Sequence, residues 1–66
     1  MKLVAKGDDP PVYVRIIPER PGYNRVVIVT QRGKVKRDKL YSQYEAQQCI
    51  DRAKQLSVEL GVELKS

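Results

Sequence analysis

Five cations crowd into eleven residues. Arg32, Lys34, Lys36, Arg37 and Lys39 stand between Gln31 and Tyr41, with Asp38 the single acid among them. This stretch carries a net +4, whereas residues 1–30 carry +2 and residues 42–66 carry −1, so most of the chain's +5 sits here. A localised excess makes a local potential that attracts an anion. On a turn and the strand after it, alternation points Lys34 and Lys36 one way and Arg37 and Lys39 the other. A twisted two-stranded ribbon lets both sets reach a phosphate backbone. The same lysines on an edge strand also deter sheet-to-sheet pairing.

A second constellation lies upstream. Tyr13, Arg15 and Ile17 share one parity in a strand-like segment, and Val27 and Val29 fall on the matching face of the next. An aromatic, an arginine and three aliphatics on one uncovered sheet face form a patch of the kind found at interfaces. Tyr and Arg are favoured anchors in protein and nucleic-acid contacts alike.

Catalytic chemistry finds little to work with. There is no histidine, hence no imidazole acid or base. Asp8 and Asp9 adjoin Pro10 and Pro11, a setting that reads as turn chemistry. Cys49 lies in an apolar helical stripe with no basic residue placed in sequence to lower its pKa, which reads as a buried inert thiol. The Gly33-Lys34 pair lacks a phosphate-loop pattern. No catalytic residue, cofactor or metal site is expected, and the chain reads as a non-enzymatic protein.

The elements that would position these residues follow from pattern. Residues 1–11 form an arm and loop ending in Pro10-Pro11. Val12 to Ile17 alternates as a strand, with Val12, Val14 and Ile16 on one face, and Pro18 ends it. The loop 18–24 holds Pro21-Gly22, suited to the centre of a type II turn. A second strand runs from Arg25 to about Gln31. Its Val26-Val27-Ile28-Val29 run is β-branched throughout, which disfavours helix. Gly33 serves a tight turn. The third strand, Val35 to about Tyr41, needs a bulge near Arg37-Asp38 or an early end, because Val35 and Leu40 have opposite parity.

The helix is the clearest element. Ser42 and Glu45 have capping-box spacing, and Tyr41 and Ala46 occupy the staple positions. Ala46, Cys49, Ile50, Ala53, Leu56 and Leu60 then recur at spacings of three and four. Gly61 is placed to end the helix in a left-handed conformation. Val62-Glu63-Leu64 offers a short closing strand.

The expected fold is α+β: a three-stranded antiparallel sheet (12–41) with one C-terminal amphipathic helix (42–60) on one face, a tail (61–66), and room for a short extra strand at either end. The helix should cover Val12, Val14, Ile16, Val26 and Ile28. With 66 residues there is one domain and a marginal core. A lone cysteine excludes an internal disulfide. No apolar run approaches the roughly 20 residues of a membrane helix, and the opening Met1–Ala5 is too short for a signal peptide. The cytoplasm is the expected compartment.

In layout, residues 12–60 resemble the small sheet-plus-helix DNA-binding domains, such as the arm-binding domains of phage-type integrases and the plant-type domains that read the major groove with a sheet. The shared features are Tyr13 and Arg15 on a first strand, the basic Lys34–Lys39 segment near the third, and the capped helix from Ser42. The tryptophans and glycines of the plant-type pattern are absent. Layout does not fix function, and no residue is carried over on this basis. The resulting expectation is a small nucleic-acid-binding protein, DNA before RNA, using Arg15, Arg32, Lys34, Lys36, Arg37 and Lys39. The alternative is an interaction module, such as a phage-type inhibitor or regulator. It would dock Tyr13, Ile17, Val27 and Val29 on a protein partner or on a second copy of itself.

Overall fold

The structure is a computed structural model and describes residues 9–65. The chain runs β1 (Pro11–Arg20), β2 (Tyr23–Thr30), β3 (Val35–Ser42), a turn of 3₁₀ helix (Gln43–Glu45), α1 (Ala46–Leu60) and β4 (Glu63–Lys65). The sheet order is β3-β2-β1-β4. The β1–β2 and β2–β3 pairs are antiparallel, as the patterning predicts. The short extra strand the pattern allows for is β4, and it lies parallel to β1, which makes the four-stranded sheet mixed. Parallel neighbours need a crossover, and α1 supplies it, carrying the chain from the β3 edge to the β4 edge. The expected arm, residues 1–11, lies mostly outside the described residues.

Val14 and Val26 are fully buried, and with Tyr41 they meet Cys49, Ala53 and Leu56 of α1. Ile16, Ile28, Val62 and Leu64 pack around this centre. Val12 is not part of it: it is 46% exposed, because a register shift between Pro11 and Tyr13 takes it out of the alternation. The helical stripe is also narrower than its spacing suggests. Cys49, Ala53 and Leu56 are buried, while Ala46, Ile50 and Leu60 are exposed, and Tyr41 joins the buried three in the core.

Pro18 does not end β1. The strand continues to Arg20, Pro18 pairs with Asn24, and the loop 18–24 shrinks to the turn at Pro21-Gly22. Two features allow this. Pro18 lies beyond the stretch of β1 that β4 pairs, and a register shift follows it, both settings where a missing N–H is tolerated. Gly22 has φ +80°, the value the second central position of such a turn requires.

The helix starts with its 3₁₀ turn, and regular α-helix begins at Ala46, three residues later than the pattern predicts. Glu45 accepts a hydrogen bond from the Ser42 N–H at 3.0 Å, and the Ser42 side chain accepts from the Glu45 N–H, so both halves of the capping box are present. At the other end Gly61 has φ +67°, and the Val62 N–H reaches the Ser57 carbonyl at 3.0 Å.

Candidate nucleic-acid interface

Strand alternation gives the sheet two faces, and α1 covers only the one with Val14 and Val26. Register assembles the other in transverse rows. Lys65 pairs with Arg15, Arg15 with Val27, and Val27 with Arg37, so three cations from three strands share one row around a valine. One row away lie Glu63, Tyr13, Val29 and Val35; on the opposite side lie Ile17, Arg25 and Leu40. Neighbouring strands lie about 4.8 Å apart, which puts Arg15 and Arg37 roughly 10 Å apart across β2.

Val27 is only 2% exposed although no helix covers it. Its row neighbours are Arg15 and Arg37, both exposed as residues. Their aliphatic stems can close over the valine while the guanidinium groups stay in water. Of the expected interface residues, Val27 is buried, and Tyr13, Ile17 and Val29 are half-buried. The Lys65 ammonium lies 4.6 Å from the centre of the Tyr13 ring. Among the described residues, Arg15, Arg37 and Lys65 form no salt bridge.

The bulge decides how the basic stretch is distributed. Arg25 pairs with Leu40 and Val27 with Arg37, so Asp38 and Lys39 together oppose Val26 alone. Val35 and Leu40 thereby reach the same face, the helix-free one. The expected partnership of Arg37 with Lys39 is broken. Arg37 joins Arg15, whereas Lys39 lies toward the helix-covered face, its ammonium 5.2 Å from the Tyr41 ring centre. Lys36, paired with Ile28, also belongs to the helix-covered side. Lys36 and Lys39 thus sit on an outer strand beside a bulge, which suits protection of an edge.

Bulges leave backbone groups without ladder partners, and side chains satisfy them here. Arg25 donates through Nη1 to the Asp38 carbonyl at 2.7 Å. The same guanidinium is engaged by Glu19, with Nη2 to Oε2 at 3.0 Å and a second contact from Nε. Arg52 of α1 grips the Asp38 carboxylate at both oxygens, at 2.9 and 3.2 Å. Arg52 holds the Asp38 carboxyl below its ordinary pKa, and the Lys39 backbone N–H adds to the effect.

At the end of the sheet, Arg32 and Lys34 flank Gly33, whose φ is +86°. Asp9 accepts from the Thr30 hydroxyl at 2.7 Å and from the Arg32 N–H at 2.9 Å. Burial raises the Asp9 pKa, but those two hydrogen bonds together with the nearby Arg32 and Lys34 charges outweigh it, and the net shift is downward. The aspartate thus pins this turn from a distance in sequence, a wider role than local turn chemistry. At the opposite end, an open cleft of about 410 Å³ is lined by Pro18 to Asn24 and Gln43. There Arg20 lies 5.0 Å over the Tyr23 ring.

Sequence reasoning missed Lys65 and Arg25 on this face, and Asp38 at the bulge beside it. Lys65 enters only through the parallel pairing of β4, for which no local signal exists. Asp38 stood out as the lone acid in a basic run, and that was its signal. Cys49 is 2% exposed and burial pushes its thiol pKa up. The described residues include no group of three or more His, Cys, Asp or Glu able to hold a metal ion. No helix among them is long and apolar enough to cross a membrane. Comparison of the chain with protein-family models, curated proteins and solved structures gives no match.

Proposed function

We propose that the protein binds nucleic acid through the helix-free face of its sheet, with Arg15, Arg37 and Lys65 as the central phosphate contacts and Arg32 and Lys34 extending them at the adjoining turn. The observation that carries this reading is the transverse row of Lys65, Arg15 and Arg37, with no salt bridge to a described carboxylate. An edge-protection role does not account for Arg15, which lies on an inner strand. DNA is the first candidate polymer.

Anisotropy titration of a labelled mixed-sequence DNA duplex at several salt concentrations tests it. Five phosphate contacts predict a slope of log K against log salt of about −4.5. Replacing Arg15, Arg37 and Lys65 together by alanine should make the slope shallower by about 2.7, while Lys36→Ala with Lys39→Ala should change it little. No binding at low salt would sink the proposal.

A second reading draws on Val35, which is 53% exposed beside half-buried Val29 and Tyr13. Docking of this face on a protein partner or a second copy would use that corner. Val35→Ser should then weaken association and leave duplex affinity unchanged, whereas a monomer in concentrated sedimentation runs counts against self-association.

A further inference from the structure

Asp38 is the one acid in the basic stretch, and simple electrostatics makes it a liability for binding an anion. Its surroundings indicate the opposite. The carboxylate is held by Arg52 from the helix, its own carbonyl by Arg25 from β2, and Arg25 in turn by Glu19 of β1. These contacts converge on the point where β3 slips by one residue against β2. Without the slip, residues 37 and 39 would share a face with Tyr41, which is buried against the helix, so Arg37 would be carried to the helix-covered side.

We propose that Asp38 is a positioning residue for anion binding: by fixing the β3 bulge it keeps Arg37 on the helix-free face in line with Arg15 and Lys65. The inference rests on the nucleic-acid reading for its functional half. Its structural half, the facing of Arg37, stands on register and hydrogen bonds alone. The residue touches no ligand itself; it acts through the backbone it holds.

The sign of one substitution separates positioning from plain charge. Asp38→Ala and Asp51→Asn each raise the formal net charge from +5 to +6. Asp51 is exposed on α1, where it accepts from Gln47, away from the bulge. Charge alone predicts that both variants bind a duplex more tightly. Positioning predicts that Asp51→Asn binds as tightly as the parent or tighter. Asp38→Ala should bind more weakly, with a salt slope shallower by about 0.9, the loss of one phosphate contact.

Asp38→Asn keeps the side-chain shape and one carbonyl oxygen for Arg52; it should fall between the parent and Asp38→Ala and serves if the alanine variant does not fold. The second measurement needs no nucleic acid: proton–proton contacts by NMR between the Arg37 side chain and the Val27 methyls. They should be present in the parent and lost in Asp38→Ala. Tighter binding by Asp38→Ala at an unchanged slope, or persistence of the Arg37–Val27 contacts, would overturn the inference. If the parent itself fails to bind a duplex, the nucleic-acid reading falls, and the NMR contacts alone decide whether Asp38 sets the facing of Arg37.

Discussion

Val14 and Val27 are almost equally buried but for different reasons, and the difference is testable residue by residue. Val14 belongs to the buried cluster that also holds Cys49, Ala53 and Leu56 of the helix. Val27 lies outside that cluster, and its row neighbours among the described residues are Arg15 and Arg37. Val14→Ala should cost about 1–3 kcal/mol of unfolding free energy, since it removes apolar contacts from a packed centre. A domain of this length holds roughly 3–10 kcal/mol in total, so the loss should be plain in a urea melt. The salt slope for a duplex should not move, because Val14 faces away from the basic row.

At the scale of the element, α1 depends on its ends. Gly61 has φ +67°, and a Cβ built there meets nothing within 4 Å. Gly61→Ala should therefore cost only the conformational penalty of the left-handed region, about 1–2 kcal/mol, with no added clash. Acid should loosen the same region. The carboxyls of Glu45 and Asp38 both titrate below their ordinary values of 4.5 and 3.8, the first through the Ser42 N–H and the second through Arg52. A carboxyl with a depressed folded pKa contributes stability that is complete above its unfolded value. That contribution is lost as pH falls through the folded one. Stability should hold from pH 7 to about 5 and decline below the ordinary carboxyl values. Melts at pH 7 and pH 3 measure the drop, and Asp38→Asn should make it smaller.

At the scale of the whole molecule, a +5 chain with a row of cations on one face should respond to salt in two ways. Binding to a duplex should weaken steeply as ionic strength rises. Stabilisation by the duplex should fade with it, because a ligand at concentration L stabilises the folded state by RT ln(1 + L/Kd), which vanishes as Kd rises above L. A thermal melt with and without duplex at 0.05 and 0.5 M salt checks this: an upward shift at low salt, none at high salt.

Much of the fold was legible in the residues themselves. The β-branched run Val26–Val29 demanded a strand, Pro21-Gly22 and Gly33 demanded turns, and Ser42, Glu45 and Gly61 marked a helix. All of these act through forces within a few residues, so they show in one dimension. The parity conflict between Val35 and Leu40 even signalled the bulge. Other features depend on partners far away in the chain. Whether Pro18 ends a strand depends on which side of β1 is paired, and whether Ile50 is buried depends on how much sheet lies beneath it. The row of Lys65, Arg15 and Arg37 draws on residues up to fifty positions apart, brought together by a crossover that no local pattern encodes. Neighbours along the chain are enough to fix the elements and the charge. Which cations share a face emerges only on folding, because facing follows from register, and register is set by pairing between strands and the bulge that shifts it.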